Sequence, residues 1–259
     1  MLDFLQQFAD AKRIFQYDYI YIDAVFLIIW LIFLLKNKKH SAILFGAIIA
    51  PIIYSIDAIF WWNKQAVANF PPTTSIREYI IGGIQMPHPL GEFWWLKFGA
   101  DFMMTISYSL FAFPWIFIMF ESISKKKIHW KQIIKFSAVY FLFWILIPLL
   151  SGLLNIDNKL VEAVRHMDTQ FITIIASVII GYLLLLVVYR KEPIKVLKVF
   201  AVGVAGSLIM ELPLFIFKIR PTNIEFIAFE ALFLLNQGVP YLFLVWDKFL
   251  KKRITSNQT

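Results

Sequence analysis

The stretch YIYIDAVFLIIWLIFLL, Tyr19–Leu35, decides the fold. It carries a single charge, Asp23, in a run otherwise apolar or aromatic. At about 1.5 Å of rise per residue, a helix of this length nearly crosses the ~30 Å hydrocarbon core of a bilayer. Six further runs of the same kind follow: Ser41–Trp62, Trp94–Phe120, Ile133–Leu154, Thr169–Tyr189, Val196–Phe217 and Ile224–Trp246. Charged residues, or the Trp and Tyr that favour the membrane–water interface, bound each run. The pattern predicts an all-α integral membrane protein with seven transmembrane helices over residues 19–246. Residues 1–18 read as an interfacial N-terminal segment, with a short helix expected there. Residues 247–259 read as a basic tail.

Composition agrees. Of the 259 residues, 60% are hydrophobic and 16% charged, and there are 27 Phe, 10 Tyr and 9 Trp. A soluble domain carries about 45–50% apolar and ~25% charged residues. The excess of apolar surface excludes a soluble globular protein, and the absence of Cys excludes disulfide scaffolds, thiol redox chemistry and Cys nucleophiles.

The 25 Lys and Arg set an orientation. Sixteen fall in one set of connections: Lys36, Lys38, Lys39, Lys125, Lys126, Lys127, Lys131, Lys135, Arg190, Lys191, Lys195, Lys198, Lys248, Lys251, Lys252 and Arg253. The other side holds nine: Lys12, Arg13, Lys64, Arg77, Lys97, Lys159, Arg165, Lys218 and Arg220. The positive-inside rule then expects the N-terminus outside and the C-terminus cytoplasmic, in a multi-pass protein of the cell membrane. The net charge of +8 is explained by a solvated rim touching anionic lipid, and no nucleic-acid partner is expected.

One connection is long. Asn63–Phe93 contains Pro71, Pro72, Gly82, Gly83, Pro87, Pro89 and Gly91. Its middle, Ser75–Ile81, reads as a short interfacial helix stopped by Gly82-Gly83. A lid and a plain connector are both open readings of this loop.

Five acids interrupt the spans: Asp23, Asp57, Asp101, Glu211 and Glu230. Charge in hydrocarbon demands a partner, a wet cavity or neutralisation. Counted along each helix, all five lie roughly 6–10 Å inside the outer boundary, so five helices contribute a carboxylate to one layer. Helical spacing puts Thr105 and Tyr108 on the face of Asp101, and Gln237 and Tyr241 on that of Glu230. Lys97, Lys218, Arg220 and Arg77 are the cations within reach of the layer, too few to neutralise all five acids. Spans two, three, six and seven place their acids at similar depths, which allows a three-one-three pseudo-repeat around the fourth. The first and fifth spans do not match.

Much is absent. No Lys lies within the seventh span for a retinal-type Schiff base, and no HExxH or paired-His spacing suggests zinc. No phosphate loop, dinucleotide turn or serine-hydrolase elbow is present, and no cofactor is expected. The seven-span plan resembles that of sugar-type facilitators and vitamin permeases built as three-one-three, and also that of small integral-membrane terpene cyclases. Asn236-Gln237-Gly238-Val239-Pro240-Tyr241 is similar to the seventh span of the latter.

The acid layer predicts a small-molecule or ion transporter, proton- or cation-coupled. Asp23, Asp57, Asp101, Tyr108, Glu211, Glu230 and Gln237 would then form the binding site. Trp61, Trp62, Trp94 and Trp95 would offer cation–π faces. The alternative is an intramembrane isomerase or cyclase acting on a lipid or isoprenoid, with Asp57, Asp101, Glu211 and Glu230 as its acid–base groups. A third reading is a non-catalytic sensor or partner subunit whose contact surface includes Arg77, Glu78 and His88.

Overall fold

A computed structural model describes residues 10–65, 74–125, 127–166 and 170–251. Residues 1–9, Pro71, Pro72, Lys126 and the tail beyond Lys251 lie outside the described residues. Six helices are long and apolar enough to cross a membrane, which makes the chain a multi-pass membrane protein by length and composition. They are α1 (Asp18–Lys36), α2 (His40–Asn63), α3 (Gly91–Ile123), α4 (Trp130–Leu154), α5 (Gln170–Val188) and α6 (Pro193–Ile216). Large apolar side chains point outward from them, including Val25, Ile28, Ile48, Ile172, Ile180 and Val187. In water that belt would be untenable; in lipid it costs nothing.

The seventh expected span is not one helix. It is α7 (Ile224–Phe233) and α8 (Val239–Val245), the latter running on as a π-helical turn over Trp246–Leu250. The interruption covers Leu234–Gly238, where Gly238 and Pro240 break the pattern. Such a break is tolerated in a membrane only where other groups satisfy the freed backbone. Here the Ser207 hydroxyl accepts from Leu235 N at 3.3 Å, and Gln237 Nε2 donates to Leu234 O at 2.8 Å.

The connections hold a second correction. Strands stand at residues 10–16 and 77–81, within the two segments where interfacial helices are expected from sequence, residues 1–9 lying outside the described residues. β1 (Asp10–Gln16), β2 (Arg77–Ile81), β3 (Ile84–Gln85) and β4 (Leu160–His166) form one antiparallel sheet in the order β1-β4-β2-β3. Ser75–Ile81 has the wrong period for a helix: Arg77, Tyr79 and Ile81 are buried, while Glu78 and Ile80 are less so. That alternation belongs to a strand with one covered face. Gly82 and Gly83, both at positive φ, turn β2 into β3 rather than stopping a helix. The free edge of β1 is covered, since Ile14 N donates to Ile219 O at 2.7 Å; a covered edge cannot template further strands.

The helices pack with α2 against α3, α1 against α4, and α7 against α6, while α3 and α4 also meet α6. Glycines seam these contacts. A Cβ on Gly46 would lie 2.7 Å from the Pro114 ring of α3, and one on Gly206 2.8 Å from Leu235. The far end of the bundle from the sheet is lysine-rich. There Lys39 pairs with Glu121 at 2.7 Å, and the Tyr189 hydroxyl donates to Asp247 at 2.5 Å. Between the two ends the core is aromatic. Trp30, Trp115 and Trp144 surround Tyr140, and Phe120, Phe243 and Trp246 pack beyond them.

Candidate functional site: an arginine-roofed cavity

The sheet presents one face to the bundle. On β1 that face carries Ala11 and Arg13, on β4 Ala163 and Arg165, and on β2 Arg77 and Tyr79. Register fixes their positions: Ala11 lies opposite Arg165, which lies opposite Arg77; Arg13 lies opposite Ala163, which lies opposite Tyr79. Alanines between guanidiniums leave space, and beneath them is a cavity of about 300 Å³. A fourth guanidinium, Arg220, enters from the segment joining α6 to α7. The floor is apolar, built by Met104, Ala112, Met210 and Leu235 among others. Ile53, Ile56, Asp57 and Trp61 of α2 form one wall, and the α7–α8 break supplies another through Leu234, Gln237 and Gly238. Ile56 is 42% exposed, so the α2 wall meets the outer surface of the bundle.

Local irregularity shapes this site. α2 widens into a π-helical turn over Ser55–Phe60, and α3 does so over Phe102–Ser107. These turns carry Asp57 and Met104 into the cavity lining. π-helical insertions of this kind concentrate at functional sites because they re-aim side chains within an otherwise regular helix.

Four of the five expected acids are ion-paired. Arg13 Nη2 meets Glu211 Oε1 at 2.9 Å. Arg220 grips Glu230 bidentately, with Nε donating to Oε2 at 3.0 Å and Nη2 to Oε1, and its Nε also lies 3.4 Å from Glu211. Arg77 Nη2 donates to Asp57 Oδ2 at 2.9 Å, and Arg77 Nε to the Tyr79 hydroxyl at 3.1 Å. Tyr79 in turn donates to Asp101 Oδ1 at 2.7 Å, whose other oxygen meets Lys97 Nζ at 2.5 Å. The strands bring Arg13 and Arg77 to these acids and the α6–α7 segment brings Arg220, which with Lys97 pairs four of the five and leaves Asp23 without a cation among the described ion pairs. Lys218, the other cation considered for Glu211, is exposed.

The structure divides the expected residues into groups. Asp57, Tyr108, Glu230 and Gln237 line the cavity, and Glu211 stands behind it, joined through Arg13 and Arg220. Asp101 instead borders a second recess, of about 440 Å³, with Tyr54, Trp62, His88, Trp94 and Lys97. Asp23 is buried apart from both, with neither carboxylate oxygen hydrogen-bonded among the described residues. Of the expected aromatic lining, Trp61 faces the cavity, and Trp62 and Trp94 the recess. Thr105 spends its hydroxyl on the Asp101 backbone at 2.5 Å, and Tyr241 on Ser177 O at 2.8 Å. Arg13 and Arg165 were legible only as orientation charges. Their signal was the repeated Ala-x-Arg of Ala11-Lys12-Arg13 and Ala163-Val164-Arg165, a period of two in segments not read as strands.

The roof is electrostatically demanding. Burial opposes the charge on Arg13, but Glu211, Tyr108, Glu230 and Asp57 together outweigh it and hold the guanidinium's pKa above its ordinary value. Burial likewise opposes Arg77, and Asp57 with Tyr79 overrides it upward. Arg165 goes the other way: burial, against the pull of Asp57 and with Arg77 alongside, brings it down to about 10. Arg13 also lies 5.1 Å over the Tyr108 ring, and Arg165 5.1 Å over Trp61. Among the described residues, no three His, Asp or Glu converge as a metal site.

At the second recess, His88 stacks on Trp62 at 4.0 Å and lies 3.4 Å from the Ser75 hydroxyl. Burial, then the Lys97 charge, lowers its pKa below 6.5. A base depressed on folding stabilises the docked loop above its unfolded value and loses that contribution as pH falls below 6.5. Protection of the amides across Ile84–Leu90, taken relative to intrinsic exchange at each pH, is expected to fall between pH 7 and 5, and His88→Asn is expected to remove the dependence. Unchanged protection in the parent protein over that interval would count against this docking.

No protein-family model, curated protein or solved structure matches the chain.

Proposed function

We propose that the protein is a small-molecule transporter of the cell membrane, with the arginine-roofed cavity as its substrate site. The observation that carries this reading is the asymmetry of the bundle. A cavity with charged and apolar sides lies at the sheet end, while the space between it and the lysine-rich end is filled by Trp30, Trp115, Tyr140 and Trp144. By the positive-inside rule the sheet end faces outward, so this is the arrangement of a carrier open to the outside and closed within. The discontinuous α7–α8 and the π-helical turns of α2 and α3 border the site, where helices that rearrange would be expected. The pairs α2–α3 and α6–α7, which bring Asp57 and Glu211 with Glu230 to the layer, are the elements a three-one-three repeat would relate.

The carboxylates do not act as open cation ligands in this reading, since arginines occupy three of them and Lys97 a fourth. The substrate is an amphipathic molecule that uses the apolar floor as well as the polar roof. The test is uptake into proteoliposomes across a panel of labelled amphipathic solutes, with and without a pH gradient. Uptake by the parent protein is expected, and Gln237→Trp, which fills the cavity from a half-buried turn, is expected to reduce it at least about tenfold, equivalent to ~1.4 kcal/mol. Equal uptake by both would sink the assignment of this cavity.

A second reading is an intramembrane isomerase or cyclase acting on a lipid. The exposed α2 wall at Ile56 favours it, because a lipid could enter there sideways. A product of unchanged mass but altered chromatographic mobility, formed from an isoprenoid panel and lost in Tyr108→Phe, would select that reading over transport.

A further inference from the structure

Resting on the transporter reading, we propose that the substrate is an organic oxyanion with an apolar tail, and that it binds together with one proton, taken by Glu230 when the anion displaces it from Arg220.

The argument is one of charge and geometry. Arg13, Arg220, Glu211 and Glu230 form a buried quartet of zero net charge, joined by the contacts at 2.9 Å, 3.4 Å and 3.0 Å described above. Arg220 and Glu230 line the cavity and Glu211 does not. Within the quartet, Arg220–Glu230 is therefore the ion pair with both partners on the cavity, as Arg77–Asp57 is outside the quartet. A cation would find Glu230 already held on both oxygens. An anion finds guanidiniums, each with five N–H donors, and not all of these are used. Arg13 Nε is buried with no hydrogen-bond partner among the described residues. Carboxylate, sulfonate and phosphate oxygens match the planar fork of Arg.

The two glutamates are not equivalent. If Arg220 turns to the ligand, Glu211 keeps Arg13. Glu230 has Arg220 as its one paired cation among the described salt bridges, and its carboxyl neighbour is Glu211, with which it shares a side-chain hydrogen bond. Left ionised in a buried site, it would carry the heavy cost of an unpaired charge. One proton from water on the sheet side restores neutrality: the ligand adds one negative charge, the proton cancels it, and no bond in the ligand changes. The charged groups facing Glu230 are Arg220, Glu211 from α6, Arg13 from β1 and Arg165 from β4, the last of which is itself partnered. The packed face of α5 brings no Asp, Glu, Lys or Arg. The tail lies on Met104, Ala112, Met210 and Leu235.

Octanoate binding to the full chain in nanodiscs, followed by calorimetry between pH 6 and 8 in buffers of different ionisation enthalpy, tests the inference. Empty nanodiscs correct for partitioning. Octanoate is expected to bind with uptake of one proton, so that its Kd weakens about tenfold per pH unit. Glu230→Gln is expected to bind octanoate with no pH dependence, and Arg13→Gln, which leaves Glu211 with Arg220, to weaken binding at least tenfold. Octyltrimethylammonium and inorganic sulfate are expected not to compete. Octanoate binding without proton uptake, or competition by the cation, would overturn the inference. Equal competition by sulfate would mark a site for free anions and overturn the amphiphile. Uptake of another solute class without octanoate binding would overturn the anion and leave transport standing. Coupled binding without flux would sustain the anion–proton site and remove the transporter.

Discussion

Arg220→Gln is expected to be among the most damaging single substitutions in the chain, at about 3–5 kcal/mol of stability. Arg220 is 4% exposed and serves both Glu211 and Glu230, which are also buried. Removing it leaves Glu230 without a counter-charge, and the penalty is the uncompensated charge rather than the net worth of the pair. The companion experiment separates the two. Arg220→Gln with Glu230→Gln removes both partners, and Glu211 retains Arg13 at 2.9 Å. That double variant is expected to recover most of the lost stability, as neutral replacements of whole buried pairs commonly do. Thermal melting in detergent would report both. A single variant that melts with the parent protein would show that the quartet does not hold the α6–α7 segment in place.

The second large effect is steric. A Cβ on Gly203 would lie 1.9 Å from Asn236 Oδ1, inside any permissible contact. Asn236 is fully buried and bonded at both ends: Tyr182 donates to its Oδ1 at 2.5 Å, and its Nδ2 donates to Leu232 O at 2.8 Å. It cannot swing aside without breaking those bonds at the point where α7 ends. Gly203→Ala is therefore expected to cost about 2–4 kcal/mol, overpacking together with lost buried hydrogen bonds. Gly152→Ala, where a Cβ meets nothing within 4 Å, is the matched control and is expected to melt at or slightly above the parent temperature. If both alanine variants behave alike, the Gly203–Asn236 contact does not constrain the bundle.

The helical part of this fold was legible because lipid imposes a simple rule on sequence: a span must be long and apolar. Tyr19–Leu35 announces α1 almost to the residue, and the expected second to sixth spans agree closely with α2 to α6. The sheet was not legible. Its strands are short and scattered over the N-terminal segment and two connections, and Leu160–His166 alternates Val, Glu, Ala, Val and Arg in a way that pairing alone rationalises. The break at Leu234–Gly238 was also obscured, because Gly and Pro are common enough in membrane helices to pass as a kink. Of the candidate site, the acids themselves could be singled out as charges within apolar spans. Their partners could not, since Arg13 and Glu211 are 198 residues apart and meet only through the sheet. What reads in sequence as an acid layer is in space an arginine roof with acids holding it in place.

The strand order has a consequence for how the molecule is made. β4 is the middle partner of both β1 and β2, yet it is the last of the four strands to leave the ribosome. Until residues 160–166 are made, the first strand waits without its pairing partner, and until residue 211 follows, its arginine waits without Glu211. The roof is therefore assembled as a late step of biogenesis, after at least four helices are in place. A nascent chain arrested before residue 160 should display an open, protease-sensitive N-terminal arm, and one released after Glu211 and Arg220 have inserted should not.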